Sequence, residues 1–160
     1  MKNLLLASVA ALMLAGCGFR PLYADGSFNE VGEGLITVDE INDRSGYLLR
    51  RELLKELAIG LPGLNERANL KVALEEDLER ITLLTDGSVS RSFLEGRAEF
   101  TLTTESGEAF NGDAQVQIPI SATQSPFGDV AAQTESSARA MRELAGEIVD
   151  DLRLQLESAR

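Results

Sequence analysis

The chain has 160 residues, with 26 acidic against 15 basic side chains, a net charge of −11, no histidine, no tryptophan and one cysteine, Cys17. This inventory excludes histidine-dependent nucleophilic catalysis and zinc centres built from Cys and His. It also argues against nucleic acid as a partner, because phosphate binding needs a basic footprint.

In chain order, Lys2 is followed by the apolar run Leu4 to Leu14 and then by Ala15-Gly16-Cys17. A positive start, a short apolar stretch and small residues before a break form the pattern of a secretory signal peptide over 1–16. The run is too short to span a bilayer, which takes roughly 20 apolar residues. Residues 17–34, rich in glycine and proline toward their ends, read as a tether into a single domain over 35–160. Gly32-Glu33-Gly34 precedes a strand rather than following one, which is the wrong context for phosphate binding, so it reads as a turn.

Leu35 to Ile41 is a short β-rich run. Asn42, Asp43 or Ser45 can cap the helix that follows. Tyr47 to Leu61 carries two apolar rows at helical spacing, Leu49-Leu53-Leu57 and Leu54-Ala58-Leu61, with Arg50, Arg51, Glu52, Lys55 and Glu56 between them. Gly60, Pro62 and Gly63 end it.

A strand-rich middle comes next. Leu70, Val72, Leu74 and Leu78 share one phase, whereas Ile81 and Leu83 take the other, which predicts a bulge near Asp77 to Arg80. Asp86-Gly87 is a turn signal. Leu94, Gly96, Ala98, Phe100 and Leu102 form one face of the next strand, and Phe93, Glu95, Arg97, Glu99 and Thr101 the other. Ser106-Gly107 turns the chain into Phe110, Gly112, Ala114, Val116, Ile118 and Ile120. Pro119, lacking an N–H, points to an edge strand or a strand end.

The last segment, Asp129 to Glu157, has helical periodicity with a stripe of Ala138, Met141, Leu144, Ala145, Ile148, Leu152 and Leu156. Glu135 and Arg139 have the spacing of a helical ion pair. The element order, strand-helix-strand-strand-strand-helix, gives an α+β fold. It is a four-stranded mixed β-sheet with two α-helices packed on one face, the last three strands forming an antiparallel meander. If the first strand joins in parallel, its crossover is right-handed.

The carboxylates Glu75, Glu76, Asp77 and Glu79 are the main cluster available for chemistry. Nothing in their spacing separates an acid from a base, and they read as a solvated strand face. No catalytic, cofactor or metal residue is assigned, and a non-enzymatic role is expected.

Four stretches carry a resemblance. Leu14-Ala15-Gly16-Cys17 resembles the lipobox of bacterial lipoproteins. Cys17-Gly18-Phe19-Arg20-Pro21-Leu22-Tyr23 resembles the mature start of the LptE family, the LPS-assembly lipoproteins of Gram-negative bacteria. Asp43 to Leu53 is similar to that family's first helix. Ser125-Pro126-Phe127, followed by Ala138 to Ala145, Ile148 and Leu152, is similar to its last. The resemblance implies a Cys17 that carries lipid. Gly18 rather than Asp after it implies the outer membrane, on the periplasmic side. It further implies a role in assembling and plugging the LptD barrel as a 1:1 partner, promoting lipopolysaccharide transport to the outer leaflet. No cofactor is implied. Arg91, less encumbered by acids than Arg80 or Arg97, with Phe93 beside it, is the candidate contact for lipopolysaccharide phosphates and acyl chains. The alternative is an outer-membrane lipoprotein serving another transport or barrel-assembly machine.

Overall fold

The computed structural model describes residues 34–83, 89–121 and 125–159; within these, 80–83, 89–91, 121 and 126 are described by backbone alone. The signal peptide, Cys17, the tether up to residue 33 and the Asp86-Gly87 turn lie outside the described residues. The elements are β1 (Ile36–Val38), α1 (Asp43–Glu56) continued by a 3-10 turn (Leu57–Ile59), β2 (Ala68–Leu83), β3 (Val89–Thr104), β4 (Ala109–Ser121) and α2 (Pro126–Ser158). The sheet order is β1-β2-β3-β4. β1 pairs in parallel with the start of β2, while β2-β3 and β3-β4 are antiparallel. A parallel pair requires a crossover, and α1 supplies it. This is the expected mixed sheet with two helices.

The alternation read from the sequence sets which face is dry. Leu94, Ala98, Phe100, Leu102, Ala114, Val116 and Ile118 are buried with Leu49, Leu53, Met141, Leu144, Ile148 and Leu152 in one core. Arg97, Glu99, Gln115 and Gln117 point the other way and are exposed. Across β3 and β4 the buried pairs alternate in bulk: Gly96 faces Val116, Ala98 faces Ala114, and Phe100 faces Gly112. The small members leave a trough that α2 fills. A Cβ added to Gly96 would lie 3.4 Å from both the Met141 methyl and a Val116 methyl. One added to Gly112 would collide with the Phe100 ring and the Asp151 carboxylate. Gln155 Nε2 donates to the Asn111 carbonyl at 3.1 Å, so the C-terminal turns of α2 lie over the start of β4.

α1 begins earlier than its apolar period indicates. Its first residue, Asp43, has φ 68°, a left-handed conformation that Asp tolerates better than most residues. Gly46 then lets the first turn close on the preceding loop, since a Cβ there would stand 2.7 Å from the Ile41 carbonyl oxygen. Asn42 occupies the cap position without a side-chain capping bond. Arg50 Nε ties the helix to the end of β1 by donating to the Val38 and Asp39 carbonyls at 3.1 and 3.2 Å. The helix also ends earlier, because residues 57–59 tighten into the 3-10 turn and Gly60 leaves it at φ 78°.

Three further expectations are corrected. The break in β2 falls between Arg80 and Leu83 rather than near Asp77 to Arg80. Up to Arg80 every residue has a partner across β3, so the ladder stays regular through the acidic stretch. Arg139 pairs forward with Glu143 at 2.8 Å, not back to Glu135. The buried stripe of α2 begins at Ala140 rather than Ala138, which is half-buried, and it also includes Val149.

The strand phase yields a direct test by denaturant unfolding. Ile118, 3% exposed, should lose about 2–5 kcal/mol of stability on Ile118→Ala, as large-to-small core changes do. Gln117→Ala, one residue away on the open face, should lose well under half of that. Equal losses would mean that the assigned phase is wrong.

Candidate functional site

The described chain enters at one pole of the molecule. Leu35, one residue after Gly34, accepts a hydrogen bond from the Ala68 N–H at 3.1 Å. At the same pole the turn between β3 and β4 is fastened to the loop before β2. Glu66 accepts bonds from the Ser106 N–H at 2.9 Å and the Ser106 hydroxyl at 2.7 Å, and the Glu105 N–H donates to the Arg67 carbonyl at 2.8 Å. Bonding from Ser106 holds the Glu66 carboxyl below the usual carboxylate range. Gly107, at φ 92°, makes this turn possible.

The opposite pole carries the β2-β3 hairpin and the first turns of α2. Phe127 is 88% exposed there, and Val130 is exposed with it. Arg91 sits on β3 opposite Thr82 and Ser121, and its side chain lies outside the described residues. Phe93 is half-buried, opposite Glu79 and Pro119. The backbone therefore places both residues on the distal half of the hairpin, whereas Cys17 lies outside the described residues.

Between the poles, the open face of the sheet is polar. Arg97 Nη2 donates to Glu95 Oε1 at 2.7 Å, and Gln115 Nε2 donates to the same oxygen. Thr101 donates to the Asn111 amide oxygen at 2.7 Å. A depression of about 330 Å³, walled by Glu75, Arg97, Glu99, Asp113 and Gln115, is shallow, since all five side chains are exposed. The acidic run of β2 does not act as one cluster. Glu76 points to the helix side and accepts from the Ser45 hydroxyl, which lies 3.4 Å from the Ser137 hydroxyl of α2. Glu75, Asp77 and Glu79, in the alternate phase, are exposed. Among the described residues no group of three carboxylates or other donors is placed to hold a metal ion, and no helix is long and apolar enough to cross a membrane.

Glu52 is the residue that the sequence reading missed. It was expected among the polar positions of α1, yet it is 6% exposed. It shares a helical face with Ser45, Leu49 and Leu53, and that spacing is the signal that could have found it. Lys55 Nζ and Arg51 Nη2 reach its carboxylate at 2.7 and 2.8 Å. The bond from Lys55, followed by that from Arg51, holds its carboxyl below the usual carboxylate range, against the opposing effect of burial.

The model of the LptE family, described as lipopolysaccharide-assembly, matches residues 35–156. No curated protein matches the sequence. Among solved structures, a lipoprotein from Caulobacter crescentus is similar at 22% identity and a TM-score of 0.61, covering 80% of this chain and 95% of its own. The rare lipoprotein B from Shewanella oneidensis is similar at 12% identity and a TM-score of 0.59, covering 78% of this chain and 96% of its own. A minor lipoprotein from Acinetobacter baumannii aligns at 13% identity and a TM-score of 0.53, over 75% of this chain and 92% of its own. At these identities the likeness is one of fold.

The ion pairs at Glu52 set a pH dependence. Its folded-state pKa lies below the ordinary 4.5, so the stability it contributes is complete above that value and is lost as pH falls through the lowered one. Thermal unfolding followed against pH should therefore show Glu52→Gln less stable than the parent at neutral pH. The gap should close as pH is taken well below 4.5. A gap that persists unchanged into acid would assign the loss to packing rather than to the charge.

Proposed function

The chain belongs to the LptE lipopolysaccharide-assembly family, and on that premise we propose that it is an outer-membrane lipoprotein that helps assemble and plug the LptD barrel. In this reading residues 1–16 are removed as a signal peptide, Cys17 carries the lipid on the periplasmic side, and residues 17–34 link it to the folded domain. The observation that carries the reading is the extent of the family match, which runs from the strand β1 into the last turns of α2. The physics agrees. The largest outer-membrane barrels have plugged lumens, and a single-core domain with a polar open face offers hydrogen-bonding groups to a polar inner wall. Stable anchoring takes two acyl signals, which a diacylglycerol thioether and an N-acyl chain on one cysteine provide.

Lipopolysaccharide contact is the finer part of the proposal and rests on Arg91 and Phe93. A guanidinium suits phosphate by its planar set of donors, and Phe93 offers apolar surface beside it. Both residues lie on the half of the hairpin remote from the entry of the chain.

Four experiments test these readings. Mass spectrometry of the mature protein should find an acylated Cys17 at the N-terminus. Cys17→Ala should leave a folded domain that no longer fractionates with membranes. From detergent extracts of the wild type, an outer-membrane barrel should co-purify in equal amount. Recovery with a different machine instead would move the function to the auxiliary-subunit alternative. For the second site, Arg91→Asp should lower lipopolysaccharide binding while melting temperature and barrel co-purification stay unchanged; undiminished binding removes Arg91 from the proposal.

A further inference from the structure

Of the two apolar rows read from this segment, the fold buries the first throughout and the second only at its end, Leu61. Leu49, Leu53 and Leu57 enter the core. Of the second, Leu54 is 41% exposed and Ala58 is exposed too, and Tyr47, on the same face, is 64% exposed. Arg44 and Arg51 interleave with them at helical spacing, so Arg44, Tyr47, Arg51, Leu54 and Ala58 form one outward stripe. Of the acids of this segment, Asp43 lies at the head of the stripe beside Tyr47, and two face elsewhere. Glu52 is buried on the inner side, and Glu56 lies nearly opposite the stripe. Arg51 bonds Glu52 through Nε and Nη2, neither of which engages Nη1, and its side chain is half exposed. Lys55, at the margin of the stripe, is 68% exposed.

This stripe is a local exception in a chain of net charge −11. On the outer side of α2 cations are also ion-paired, but with exposed acids rather than with a buried one. There Arg139 and Arg153 are paired with Glu143 and Asp150, and Glu147 and Glu157 add further acid. A helix face of cations alternating with Tyr and Leu matches an anionic bilayer surface, where cations meet headgroups and amphipathic rings sit at the boundary. The place where the described chain begins agrees with this occupant. The chain arrives at Gly34, next to β1, and α1 lies against β1. Ile59, at the end of α1 nearest that entry, is 66% exposed.

We propose that the outer stripe of α1 is a second membrane contact, which lays the domain on the headgroups of the bilayer holding its lipid anchor before the domain docks in a barrel. The proposal rests on the lipidation of Cys17. The absence of tryptophan from the chain supplies a clean probe. The full lipidated chain carrying Tyr47→Trp, and separately one carrying Leu154→Trp, would be placed in vesicles of phosphatidylethanolamine and phosphatidylglycerol with brominated acyl chains. Leu154 is 65% exposed on α2 and serves as the control. Emission from the Tyr47→Trp protein should shift to the blue and be quenched several-fold more than emission from the Leu154→Trp protein. Adding Arg44→Glu should reduce that difference. Circular dichroism checks that each variant is folded. Equal quenching at the two positions, or none in protein that floats with the vesicles, overturns the proposal. So does protection of the Tyr47→Trp fluorophore from iodide only when the barrel is present, because that assigns the stripe to protein. Failure to float would instead sink the anchor reading, and this proposal with it.

Discussion

One constraint governs this fold: a single sheet has to be dried on one face by one long helix, and the helix must come close enough to do it. α2 achieves this because the sheet's buried face is not uniformly bulky. Gly96, Ala98, Ala114 and Gly112 hollow out a trough across β3 and β4, and each glycine is matched by a large neighbour, Val116 for Gly96 and Phe100 for Gly112. The volume missing from the strands is returned by Met141, Leu144 and the C-terminal turns of the helix. Close packing of this kind tolerates little added volume. It also fixes the axial position of α2, which in turn sets Ser137 beside Ser45 and Gln155 beside Asn111. α1 then closes what remains open over β1 and β2.

Much of the architecture was readable from residue pattern, for identifiable reasons. Strict alternation from Leu94 to Leu102 and from Phe110 to Ile120 leaves one register of burial, since a slip by one residue would expose the whole apolar set. The stripe of α2 is long enough that its period is unmistakable. The failures occur where local backbone geometry, not hydrophobic period, sets the outcome. The start of α1 depends on Asp43 in a left-handed conformation and on Gly46 against the Ile41 carbonyl, and neither leaves an apolar trace. The break in β2 was visible as a change of phase, but its position belongs to the hydrogen-bond ladder. Glu52 was hidden because a charged residue at an inward position looks, one residue at a time, like any other charge on a helix.

The candidate sites divide in the same way. Cys17 was read from a linear processing pattern that needs no fold, and it lies outside the described residues. Arg91 and Phe93 were chosen by eliminating arginines encumbered by acids, and the Arg97–Glu95 pair supports that step for Arg97. The row Leu54-Ala58-Leu61 was present in the sequence; Leu61 joins the core, while Leu54 and Ala58 fall on the outward stripe of α1. Only the packing shows that the stripe is surplus to the core. The entry of the chain and the fastened β3-β4 turn share one pole, and the hairpin end with Phe127 occupies the other.

The shortness of β1 has a consequence of another kind. Three residues of it pair with Ala68 to Leu70, so among the described residues no strand lies along the outer edge of β2 from Lys71 onward. An uncovered edge of that length is a template on which a second copy could build a continuous sheet. Here it runs through Glu75, Glu76, Asp77 and Glu79, so two such edges laid side by side would bring like charges into register. The acidic run would thereby work against edge-to-edge polymerisation.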